Sequence, residues 1–153
     1  MKTLKERIQE GLKINSKSKF GKIYNYQPKT KTELIKLINK LIQERGNNAD
    51  LNDIDTSQIT DMSYLFGSSD FNGDIYYWDV SNVIDMMNMF IYSKFTGDIS
   101  QWDVSNVENM IDMFYKSKFN GDISNWKVNN KVKMTMMFNG CPLENNPPKW
   151  YKK

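Results

Sequence analysis

The chain of 153 residues contains no histidine, one cysteine (Cys141), one alanine (Ala49) and two arginines (Arg7 and Arg45). Without histidine it lacks the commonest general base and the commonest metal ligand, which excludes histidine-based catalytic triads and zinc-protease chemistry. A single cysteine cannot form an internal disulfide, so nothing in the sequence requires an oxidising compartment. The segment MKTLKERIQEGLKINSKSK is charged throughout and has no continuous apolar core of the kind a secretion signal needs. No apolar run approaches the length of a membrane span, so no membrane partner is expected. The location expected is the cytoplasm, or a phage particle assembled there.

Charge is segregated along the chain. Residues 1–46 carry 12 Lys and Arg against 4 Glu, residues 47–126 carry 3 Lys against 13 acids, and residues 127–153 carry 6 Lys against 1 Glu. A basic arm interleaved with aromatics, KSKFGKIYNYQPKTK, with Lys17, Lys19 and Lys22, is a generic signal for an anionic partner. The same arm can instead lie along the acidic centre of its own chain, and nucleic acid is not expected as a partner.

What the sequence does contain is a repeat. DIYYWDVSNVIDMMNMF at 74–90, DISQWDVSNVENMIDMF at 98–114 and DISNWKVNNKVKMTMMF at 122–138 share a spacing of 24 residues, and DLNDIDTSQITDMSYLF at 50–66 is a degenerate earlier copy. The columns align Phe71, Phe95 and Phe119; Gly73, Gly97 and Gly121; Asp74, Asp98 and Asp122; Ile75, Ile99 and Ile123; Trp78, Trp102 and Trp126; Met86, Met110 and Met134; and Phe90, Phe114 and Phe138. The tryptophan and methionine columns read as core.

Within a copy, Ile75, Trp78 and Val80 have the LxxLxL spacing of a leucine-rich-repeat strand. Ser81 and Asn82 are helix-capping residues, and Val83, Met86, Met89 and Phe90 fall at helical spacings. The spacing predicts strands near 51–56, 75–80, 99–104 and 123–128, and short helices near 59–66, 83–91, 107–115 and 131–138. Phe71 and Gly73 are placed on the return, with the glycine permitting a bend. The fold class expected is an α/β repeat: a short solenoid, leucine-rich-repeat-like, of about four such copies with an N-terminal capping helix.

Four segments follow. Residues 1–27 form an arm, with a short amphipathic stretch at Leu4, Ile8 and Leu12 that Gly11 weakens. Residues 28–49 hold the capping helix, where Thr30 and Glu33 have capping-box spacing, Leu34, Ile35, Ile38, Leu41 and Ile42 form a stripe, and Gly46 supplies a stop. Residues 50–140 are the repeats. Residues 141–153, with three prolines, close the last repeat through Leu143 and Trp150.

The pattern FNGDISxWDVSNVxxMxxMF at 71–90, 95–114 and 119–138 resembles the BspA-like leucine-rich repeats of bacterial surface proteins and lipoproteins, over about residues 50–138. More loosely, the PKTKTEL helix, NADLNDID and CPLENNPPKWYKK look like short, leaderless members in gut bacteria and their phages. The resemblance implies a right-handed solenoid that binds protein. Strand positions facing away from the core would then make a concave binding face of Asn52, Asp53, Asp55, Tyr76, Tyr77, Asp79, Ser100, Gln101, Asp103, Ser124, Asn125 and Lys127. Tyr76 and Tyr77 interrupt small polar columns and are the expected anchors, while Asp55, Asp79 and Asp103 form an acidic ladder that ends at Lys127. Asp74, Asp98 and Asp122 follow a glycine and are expected to accept backbone hydrogen bonds rather than to hold calcium.

The function expected is a non-enzymatic protein-interaction module, monomeric unless part of an assembly, with no cofactor and no metal. The alternative is a virion-associated or cargo protein of a phage or mobile element whose basic termini serve assembly.

Overall fold

The computed structural model describes residues 16–17, 21 and 23–152. The amphipathic stretch at 4–12 lies outside the described residues. One α-helix is present, α1 at Lys31–Arg45, with one antiparallel pair of two-residue strands, β1 at Ser16–Lys17 and β2 at Ile23–Tyr24.

α1 begins where Thr30 Oγ1 accepts the Glu33 N–H at 3.2 Å. The Glu33 carboxylate in turn accepts the Lys29 N–H at 2.7 Å. It ends at Gly46, whose φ of 87° fits glycine, with its N–H donating to Ile42 O. Leu34, Leu37, Ile38 and Leu41 are the buried face, while Ile35 turns outward. The expected stripe was therefore rotated slightly, with Leu37 in place of Ile35. Both ends of α1 are tied to the first repeat: Lys31 Nζ lies 3.0 Å from Asp61 Oδ1, and Arg45 reaches Asp53 and the carbonyl of Asp50.

The expected α/β solenoid is not formed. Among the described residues of 50–152 there is neither a strand nor a helix, only turns, bends and isolated parallel bridges such as Asp61↔Asp85, Asp85↔Asn109 and Asn109↔Lys133. At each expected strand the chain turns instead. Trp78, Trp102 and Trp126 donate their N–H to Ile75, Ile99 and Ile123 O, three residues back, so LxxL is a β-turn with its two x residues at the corner.

The expected helices fail for a different reason. Tyr64, Asn88, Asp112 and Met136 have φ of 54–59°, and Ser68, Tyr92 and Lys116 have φ of 50–55°. A left-handed residue in the middle of Met86–Phe90 ends any helix. It fits the third position of a type II turn, as the Met89 N–H to Met86 O bond at 3.2 Å indicates. Every second N–H then points to the next copy: Met86, Asn88, Phe90 and Tyr92 donate to Asn109, Ile111, Met113 and Tyr115 O at 2.8–3.0 Å. The set recurs from Met62 and from Met110. Alternation between turn bonds and inter-copy bonds satisfies the backbone without regular secondary structure.

Between these turns the side chains stack in columns. Phe66, Phe90, Phe114 and Phe138 have successive centroid separations of 5.6, 5.5 and 5.8 Å, with rings within 7° of parallel. Phe71, Phe95 and Phe119 form a second column at 6.2 and 6.3 Å. Indole N–H groups clamp copy to copy: Trp78, Trp102 and Trp126 donate to Leu51, Ile75 and Ile99 O at 3.0–3.2 Å. Trp150 repeats the bond to Ile123 O at 2.8 Å and stacks 6.0 Å from Trp126. The C-terminal segment thus keeps the tryptophan register, with Leu143 and Trp150 packed against the core.

Gly73 does not serve a bend, since its φ is not positive. A Cβ there would stand 2.0 Å from Ala49 O, so the glycine permits close approach of neighbouring copies.

Candidate functional site

Because Ile75–Trp78 is a turn, no concave strand face exists, and the residues expected on it stand on turn corners instead. Tyr76 and Tyr77 are the two corner residues, each partly exposed, with rings 4.8 Å apart and edge to face at 89°. The corner is held from below. Asp74 Oδ1 accepts the Tyr76 N–H at 2.9 Å, and Asn52 Oδ1 accepts the Tyr77 N–H at 2.7 Å. Asn52 itself is buried, so it is a support rather than a contact residue. In the following copies Gln101 and Asn125 occupy the Tyr77 column and both are exposed. Tyrosines offer contact area at small entropic cost, and a corner fixed by two hydrogen bonds presents them with little freedom left to lose.

The acidic ladder is built from side-chain turns. Asp79 and Asp103 each accept the N–H and hydroxyl of the serine two residues on, at 3.1 and 2.6 Å. Asp55 is buried and accepts from Gln27 Nε2 at 2.9 Å and from the Ser57 N–H. Lys127, at the end of this column, is exposed. Asp98 and Asp122 accept the N–H of Ser100 and Ser124 at 2.8 and 2.9 Å, as Asp74 does for Tyr76. These carboxylates shape turns. Among the described residues no group of three or more His, Cys, Asp or Glu is arranged to hold a metal.

Part of the arm lies along the first copy. Asn25 and Tyr26 donate N–H to Asp53 O, Asp55 N–H donates to Tyr26 O, and Asn25 Nδ2 reaches Asp53 Oδ2 at 2.9 Å. Of the expected basic contacts, Lys17 falls in β1, and Lys19 and Lys22 lie outside the described residues. Arg45 grips Asp53 with two bonds of 3.0 and 2.9 Å. Burial pushes the Asp53 carboxyl upward, but the hydrogen bonds from Arg45 and Asn25 and the guanidinium charge outweigh it and hold the group below its ordinary 3.8. A carboxyl that titrates lower in the folded state stabilises fully above its unfolded value and loses that contribution as pH falls through the folded one. Thermal melts should therefore show wild type losing its advantage over Asp53→Asn as pH falls below about 4, with the curves converging in acid. A constant gap across that range would contradict the assignment.

A second aromatic surface escaped sequence reasoning. Tyr92 and Tyr115 meet edge to face at 5.6 Å, and Lys116 Nζ lies 5.8 and 5.2 Å from their centroids. These residues follow the last apolar position of a copy, where a helical reading carries no signal for a left-handed corner.

A family model described as "Mycoplasma protein of unknown function, DUF285" matches residues 34–150. No curated protein and no solved structure matches the chain. Among the described residues no helix is long and apolar enough to cross a membrane.

Proposed function

We propose, on the premise that the chain belongs to the DUF285 family, that it is a non-enzymatic protein-binding module. Its contact surface is the corner column formed by Tyr76, Tyr77, Gln101 and Asn125, bordered by Asp79, Asp103 and Lys127. The observation that carries this reading is the Tyr76–Tyr77 pair: two partly exposed aromatic side chains, edge to face, on a corner braced by Asp74 and Asn52. The finer likeness to BspA-like surface repeats belongs to the same proposal, since FNGDISxWDVSNVxxMxxMF is the pattern the two have in common.

Tagged wild-type chain and a Tyr76→Ala/Tyr77→Ala variant should be compared for capture of proteins from source-cell lysate. Binding of the captured partner is then measured by titration. The variant should melt close to wild type, because neither ring belongs to the buried core. It should bind about thirtyfold more weakly, the equivalent of about 2 kcal/mol for an aromatic anchor pair. Equal affinity of both proteins for the same partner would refute the site. Recovery of the chain only as a stoichiometric part of a particle would replace the proposal with a structural role.

A further inference from the structure

The chain contains three Asn–Gly pairs: Asn72–Gly73, Asn120–Gly121 and Asn139–Gly140. This dipeptide carries a chemistry of its own. The glycine nitrogen can attack the side-chain carbonyl of the asparagine before it, because no Cβ on the attacking residue crowds the approach. In a folded chain the two atoms must be free to meet, so the bonds made at each pair decide whether the reaction proceeds.

Two of the pairs are held. Asn72 donates its N–H to Asn47 O at 2.8 Å, and its Oδ1 accepts the Thr96 N–H at 2.7 Å and the Thr96 hydroxyl at 3.1 Å. Its neighbour Gly73 is buried, wedged against Ala49. At Asn139 the nucleophile itself is engaged, since the Gly140 N–H donates to Glu144 Oε2 at 3.0 Å. Asn139 is also tied through its main chain, its N–H to Met136 O at 3.1 Å and its carbonyl to the Lys116 N–H at 2.8 Å.

The third pair is released by a change in its partner. Thr96 stands 24 residues after Asn72, and the residue at the same spacing from Asn120 is Glu144. Glu144 turns away: its N–H goes to Cys141 O at 3.0 Å and its carboxylate to Gly140. Among the described residues neither the Asn120 amide nor the Gly121 N–H makes a hydrogen bond. Asn120 is exposed and Gly121 half-buried, and both line a groove of about 500 Å³ shared with Pro147, Pro148 and Lys149. The groove gives the side chain room to swing and gives water access.

We propose that Asn120 is a site of self-modification, deamidating through attack by the Gly121 nitrogen. That nitrogen gives up its proton and bonds to Asn120 Cγ, the bond from Cγ to the side-chain nitrogen breaks, and ammonia leaves with a proton. Water then opens the cyclic imide at either carbonyl, leaving an aspartyl or an isoaspartyl linkage. Water is the sole co-reactant, and nothing is oxidised or reduced. Both products place a new carboxylate two residues from Asp122. The isoaspartyl form also adds a methylene to the main chain between Phe119 and Ile123, which are both buried. The change is one-way, and it falls on the last junction of the stack.

Peptide mapping by mass spectrometry tests this, following the replacement of NH2 by OH at each pair while the chain is held at mildly alkaline pH, folded or in urea. In urea the three pairs should react at similar rates. In the folded protein Asn120 should stay within about threefold of its urea rate, whereas Asn72 and Asn139 should slow by about tenfold or more. The folded-state rate at Asn120 should rise with pH, because the attacking nitrogen must be deprotonated, and both aspartyl and isoaspartyl peptides should appear. Protection of Asn120 equal to that of Asn72 would overturn the proposal. So would an aspartyl product without isoaspartate, since direct hydrolysis of the side chain gives aspartate alone.

Discussion

Phe90→Ala should lower the stability of the protein by about 4 kcal/mol, the upper range for a phenylalanine deleted from a core. Phe90 is fully buried and is shared by both aromatic columns: it stacks on Phe66 at 5.6 Å, on Phe114 at 5.5 Å and on Phe95 at 4.6 Å, and its centroid is 6.4 Å from that of Trp102. Collapse cannot refill the space, because the copies above and below are held at fixed separation by the N–H bonds from Asn88, Phe90 and Tyr92. Urea denaturation followed by tryptophan fluorescence measures the loss. Unfolding should stay cooperative, since removing one ring weakens contacts on both sides without altering the inter-copy bonds. A loss below about 1.5 kcal/mol would show that the columns are less tightly packed than their ring separations imply.

Gly73→Ala should cost about 3 kcal/mol, and more than the same substitution at Gly121. At Gly73 the added methyl would meet Ala49 O at 2.0 Å and Ala49 N at 2.9 Å, and these backbone atoms are fixed by the bond from the Asp74 N–H to Ala49 O. At Gly121 the nearest backbone atom, Gly97 O, is 3.7 Å away, and the clash is with the Phe119 ring at 2.7 Å. A ring can tilt by a few tenths of an ångström, whereas the Ala49 carbonyl cannot retreat without breaking the junction between the first two copies. Parallel melts of the two variants decide the matter. Equal costs at both positions would mean that the column acts through chain flexibility and not through close approach.

How far each feature could be read depends on how local its cause is. The helix at 31–45 was legible because Thr30, Glu33 and Gly46 act on neighbours within one turn. The core columns were legible because a strict period places the same residue in the same environment each time. That rule extends to Trp150, which stands 24 residues after Trp126 and repeats its bond to the preceding copy. For the candidate site, the sequence singled out Tyr76 and Tyr77 as departures from their columns. That they form a braced corner depends on Asn52, 25 residues away.

The backbone path was not legible. Met86, Met89 and Phe90 at spacings of three and four serve a helix and a chain of type II turns equally well, because both bond three or four residues back. The choice between them turned on left-handed positions occupied by Tyr64, Asn88, Asp112, Met136, Tyr92 and Lys116. No glycine marks these sites, and for tyrosine, methionine or lysine the conformation costs about 1–2 kcal/mol. The sequence alone therefore determined the helix, the period and the identity of the core. Only the tertiary structure decided that each copy would be turns, because the bonds that offset the strain, such as Asn88 N–H to Ile111 O, exist only once the next copy is in place.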